Sequence, residues 1–275
     1  MKRRVFIMLA ASILSACSFG ANITADEALS RVYETTAKDA QQTTHQTIAD
    51  VRARHQTELE TEIYRLCGTL EDGSTPPKCK LPEVAQGDDT RESAEILHDA
   101  AATIEAEIHN APKESMIILA RQYAELATVG LKSEELPKET QIQTPHDIER
   151  LRAAIDHEYG NAYALEVASA KENGGTEAQL DEAAEKHRKT AQQLSKYLSE
   201  KAPAPAPGYV IEDPVDNPNA FSAKLEQESV SFWLSEAVAA ETPEWRTLCL
   251  RASAQAALQA LIFDPNTEYL HTTTS

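Results

Sequence analysis

The feature that most constrains this chain is a rhythm of helix breaks in its second half: short, long, short. Residues 201–218, KAPAPAPGYVIEDPVDNP, hold five prolines and cannot continue a helix. On each side sits a pair of helical patterns joined by only about four residues. Thr144-Pro145-His146-Asp147 opens the first helix with a hydroxyl cap, a proline in the first turn and an acid at the third position. Its stripe is Ile148, Leu151, Ile155, Tyr159, Ala162 and Leu165, and Asn173-Gly174-Gly175 stops it. Thr176-Glu177-Ala178-Gln179 opens the second as a capping box, followed by Leu180, Ala184, His187, Ala191, Leu194 and Leu198. Asn217-Pro218 restarts a helix through Leu225, Phe232 and Val238. Thr242-Pro243-Glu244 restarts the last, through Trp245, Leu248, Ala252, Ala256 and Ile262. Short connections make antiparallel neighbours, and a long one returns the chain along a helix about 30 Å long. The expectation is a ferritin-like four-helix bundle with one long crossover over residues 144–270.

Before it lie about three more helices, within an N-terminal helical region at 17–131, and then a polar linker at 132–143. Thr24-Ala25-Asp26-Glu27 reads as a capping box for a helical pattern that runs to about Leu66, with Ile48, Val51, His55, Leu59 and Ile63 on its stripe. Asp89 to Glu92 opens the next, carrying Ile96, Ala100, Ile104 and Ile108. Pro112 opens the third, which Gly130 ends. Composition agrees with an all-α chain: aromatics are 5% of 275 residues and glycines number 9, too few for a sandwich or barrel. The formal charge of −18 removes nucleic acid from the expected partners, because binding phosphates needs a basic patch.

The first residues are an address. Lys2, Arg3 and Arg4 precede an apolar run from Val5 to Leu14, too short to span a bilayer as a helix. The run ends in Leu14-Ser15-Ala16-Cys17, which resembles the bacterial lipobox. That resemblance implies a signal peptide at 1–16, cleavage before Cys17 and a lipid on its sulfur. It places the mature chain on the outer face of the cell membrane, with a formal charge of −21 once the three basic residues are gone. Disulfides are permitted there. Cys67 and Cys79 bracket a turn-rich GTLEDGSTPPK loop and are expected to pair, whereas Cys249 sits among apolar residues as an inert buried thiol.

The segment EYGNAYALEV, together with AAEKHRKTAQQL, GYVIEDPVDNPNAFSAKLEQESVSFW and WRTLCLRASAQAAL, resembles an actinobacterial ferritin-like domain of unknown function over about residues 148–269. The resemblance implies a fold and no established activity. A ferritin-like di-iron centre takes one Glu on each of two helices and Glu-x-x-His on each of the other two. Here Glu158 and His187 lie on inward stripes, Ala184 stands where the Glu before His187 belongs, and Glu228 falls between Leu225 and Phe232. The last helix offers only Arg251 and Gln255. Two carboxylates and one histidine do not make a di-iron centre, so no cofactor is expected. Glu158, His187 and Glu228 are instead candidates for a polar cluster, with Glu158 or Glu228 satisfying the histidine and Arg251 neutralising a second acid. A single bound metal ion is the alternative. His55 is expected to pack within its helix, and His45, His98 and His109 to be solvated. Glu182–Lys186 and Glu185–Lys189 are expected as exposed pairs along one helix face.

Together these point to a lipid-anchored, extracytoplasmic module that binds or supports an envelope protein partner, without catalysis. A ferritin-like metalloprotein of the envelope, binding metal or acting as an oxidoreductase, is the competing class. A transporter's solute-binding protein would need α/β lobes, and no strand pattern is present.

Overall fold

A computed structural model describes residues 22–84, 90–132, 136–198, 202–266 and 268–270. Cys17 and the signal segment 1–16 lie outside the described residues. Among those residues the chain forms eight α-helices: α1 (Glu27–Gln42), α2 (Gln46–Cys67), α3 (Ser93–Glu107), α4 (Met116–Thr128), α5 (Pro145–Lys171), α6 (Glu177–Ser195), α7 (Pro218–Ala239) and α8 (Pro243–Phe263). No helix is long and apolar enough to cross a membrane among them.

Three starts in the second half follow from local chemistry. Thr144, Asn217 and Thr242 each accept a backbone N–H with the side chain, from Asp147, Ala220 and Trp245, and each is followed by proline in the first turn. Two expected capping boxes form differently. Asp26, not Thr24, caps α1 by accepting from the Leu29 N–H at 2.9 Å. Thr176 makes no side-chain cap bond; its carbonyl accepts from the Leu180 N–H at 3.1 Å. The pattern from 24 to 66 is two helices rather than one. Thr43 is extended, its Oγ1 accepts from the His45 N–H, and the Gln42 carbonyl accepts from the Arg91 N–H at 3.0 Å. β-Branched Thr43 and Thr44 have little helix preference to oppose that break.

α5–α6 and α7–α8 are hairpins. The crossover carries the chain from the end of α6 back along α5. Arg150, near the start of α5, pairs with Glu236, near the end of α7, at 2.6 Å, so these helices run antiparallel. Phe221, at the start of α7, packs with Leu165 and Leu180 at the opposite end. The order is therefore up, down, down, up, the connectivity of a ferritin-like bundle. α4 lies across α7 and α8. One continuous apolar core runs from Leu29 and Ile63 through Leu119 and Leu126 to Trp233, Trp245 and Leu248. Arg251 on α8 and Glu105 on α3 clasp the two halves through two bonds of 2.9 Å.

The Cys67–Cys79 disulfide is present, closing the loop after α2 with its Cα atoms 6.2 Å apart. Cys249 is a free, fully buried thiol whose pKa burial pushes well up.

Candidate functional site

The buried stripe of α5 contains Leu151, Ile155, Glu158, Ala162 and Leu165, and that of α6 contains Leu180, Ala184, His187, Ala191 and Leu194. On α7 the inward stripe is Ser222, Glu226, Ser229, Trp233 and Ala237, at spacings of three and four. Facing helices therefore bring Glu158, His187 and Glu226 to one point inside the bundle.

His187 bridges the two acids. Its Nδ1 lies 2.7 Å from Glu158 Oε2 and its Nε2 3.1 Å from Glu226 Oε1. The Trp233 indole N–H donates to Glu158 Oε1 at 3.0 Å. All four side chains are buried, His187 at 5% exposure being the most open. A neutral imidazole has one N–H, and its other nitrogen would turn a lone pair on a carboxylate, so the ring is an imidazolium donating to both. Burial alone would lower the His187 pKa; the charges of Glu226 and Glu158 and their hydrogen bonds overcome it and hold the pKa well above its ordinary value. Burial likewise pushes the Glu158 carboxyl up, and the His187 charge, with the His187 and Trp233 hydrogen bonds, brings it below the usual carboxylate range. Glu226 Oε2 receives no hydrogen bond among the described residues.

His157, one residue before Glu158, forms the adjoining layer. Its ring stacks on Phe232 with centroids 3.9 Å apart, and Nε2 approaches Asn161 Nδ2 at 3.1 Å and Ser229 Oγ at 3.3 Å. Burial pulls its pKa down to about 4, so this histidine is neutral beside a charged one.

The geometry does not suit a metal ion. Glu158 and Glu226 sit at opposite ring nitrogens of His187, so the ligand atoms diverge around the imidazole instead of converging on one point. Among the described residues, the one set of three ligand atoms within 4.8 Å of one another comes from His146, Asp147 and Glu241. There the Asp147 carboxylate is already engaged by protein donors. Oδ1 accepts the Glu241 N–H, and Oδ2 accepts the Thr242 N–H and hydroxyl, at 2.7–3.0 Å. That carboxylate fastens the start of α8 to the start of α5.

Several sequence expectations require correction. Glu228 is not in the cluster. Its side chain is 60% exposed and 3.6 Å from Lys224, and Glu226 takes the inward place. The α7 register differs from the expected one because its truly buried face carries two serines and a glutamate, while Leu225 and Phe232 are only half-buried. Arg251, expected to neutralise a bundle acid, pairs with Glu105 on α3. His109 is half-buried, not solvated, and burial lowers its pKa. His45 and His98 are exposed, and the pairs Glu182–Lys186 and Glu185–Lys189 form at 3.0 and 3.7 Å.

A second buried network, unread in the sequence, joins α1, α2 and α4. Arg52 pairs with Asp39 at 2.9 Å and donates to Thr36 Oγ1 and His55 Nδ1, and His55 Nε2 lies 2.8 Å from Glu125. Burial lifts the Asp39 pKa to about 6 against the pull of Arg52 and Arg91. The available signal was Arg52 itself, a charge four residues after Ile48 and three before His55 on an inward stripe.

Comparison with curated proteins found no match, and comparison with solved structures found none. Residues 150–270, which contain Glu158, His187 and Glu226 and exclude α1–α4, match the family described as "Domain of unknown function (DUF4439)".

Proposed function

We propose that this protein is a non-catalytic binding or structural lipoprotein of the cell envelope, anchored through Cys17 on the extracytoplasmic face, where it engages an envelope protein partner. The observation that carries the non-catalytic reading is the bridging of Glu158 and Glu226 by the two nitrogens of His187. A proton occupies the centre of the bundle, held between the two acids by the imidazolium. The anchoring reading rests on Leu14-Ser15-Ala16-Cys17 behind a basic, then apolar, leader.

Two measurements test this. Metal analysis of the purified protein, prepared with and without air, should give far less than one iron, manganese or zinc per chain. Near one metal per chain, lost in His187→Leu, would replace this reading with a metalloprotein. Cys17→Ser should leave uncut, unlipidated precursor; a variant that matures and sediments with membranes as before would refute the anchor.

A further inference from the structure

α6 and α8 do not close on each other over the buried network. The wall of α8 here includes Ala252 and Ala256, whose side chains are too small to fill the space, beside Gln255, Leu258 and Gln259. A cavity of about 440 Å³ results, within the span of roughly 300–1,000 Å³ usual for small-molecule sites. Its floor holds Glu158, His187 and the Trp233 ring, and Leu258 adds to the apolar wall.

We propose that this cavity is a binding site for a small organic cation, an amine on an apolar body, held by the Glu158 carboxylate. Charge decides the class of ligand. Glu158, Glu226 and the His187 imidazolium sum to one buried negative charge, in surroundings where charge is poorly screened. Glu158 accepts one hydrogen bond at each oxygen, leaving each a further lone pair for an ammonium donor. The rim lysines do not reverse this. Lys186 is paired with Glu182 at 3.0 Å, and Lys189 lies 3.7 Å from Glu185, an acid it shares with Arg188, which also pairs with Glu166, so the rim cations are balanced by acids outside the cavity. A carboxylate ligand would meet the buried charge with repulsion.

The proposal rests on the network being held by a proton, as argued above, and on no feature of the lipid anchor. The test is a titration of the full chain in non-ionic detergent at neutral pH with phenethylamine, 2-phenylethanol and 3-phenylpropionate, following the two indole N–H signals by NMR. Phenethylamine should shift one indole signal saturably, 2-phenylethanol should bind at least tenfold more weakly, and 3-phenylpropionate should not bind. Thr190→Phe, which blocks the half-buried mouth, should abolish the shift, and Glu158→Gln, which keeps the shape and removes the charge, should weaken it at least tenfold. No saturable shift, equal binding of the three probes, or binding that survives both substitutions would overturn the proposal. Metal content measured on the same sample separates the failures: a metal-free protein that ignores the amine refutes the cavity proposal alone, whereas stoichiometric metal refutes the proton-held network.

Discussion

Replacing His187 by Leu exposes what the buried network does. Leucine fills similar space, so the change removes charge more than packing. It breaks bonds of 2.7 and 3.1 Å to Glu158 and Glu226. Glu158 keeps the Trp233 indole, but Glu226, whose Oε2 already lacks a partner, loses the one bond it has among the described residues. Removing one member of a buried ion pair costs about 3–5 kcal/mol. Total stability for such a domain is about 5–15 kcal/mol, so the variant should fold with a lowered urea midpoint. The pH dependence separates charge from packing. In the native protein, Glu158 has a lowered pKa, so its contribution is present above its unfolded value of 4.5 and is lost as pH falls through the folded value. His187 has a raised pKa, so its contribution is full below 6.5 and is lost as pH rises through the folded value. Between these limits the network contributes fully. In the variant Glu158 loses the imidazolium that holds its pKa down while burial still pushes it up, so it takes up a proton at higher pH than in the native protein. The stability gap should therefore narrow as pH falls, and His187→Leu with Glu226→Leu should recover more than half of the loss. Urea unfolding followed by circular dichroism and tryptophan fluorescence measures all three proteins. A loss below about 1 kcal/mol, or one that stays constant with pH, would refute the charged-network account.

Digestion without reduction should yield Cys67 and Cys79 peptides linked and Cys249 free, and Cys79→Ser should cost about 3 kcal/mol by loop closure; a Cys249 cross-link would contradict the fold. Asp147→Ala should cost about 2–4 kcal/mol, because a charged acceptor of three bonds disappears from the α5–α8 junction. Burial raises the Asp147 pKa but those bonds lower it further, so its contribution should fade as pH drops below 3.8, seen as a shrinking Asp147→Ala effect in acid. Arg251→Ala should cost only about 1 kcal/mol, since that bridge is partly solvated, and a double-mutant cycle with Glu105→Ala should return the coupling.

Thr144, Asn217 and Thr242, each followed by proline, declared their helices without help, because a cap and its N–H partners lie within one turn of chain. The same locality made the crossover at 201–218 legible and, with the two short connections, the order of the bundle. Glu158 and His187 were legible because α5 and α6 carry clean apolar stripes. Glu226 was not. α7 packs against α5, α8 and α4, so apolar residues surround it, and its deepest face is lined by Ser222, Glu226 and Ser229. Choosing Glu228 instead rotates the helix by about 200°, an error that no local signal corrects. Arg251 found Glu105 only because α4 docks across α7 and α8 and brings α3 beside them. Asp39 and Arg52 met because the chain broke at Thr43 and doubled back. Where helices begin and how they connect can be read along the chain, because the bonds responsible form within a few residues. Which buried charges meet depends on the rotation and docking of whole helices, a property of the packed core that no single segment carries.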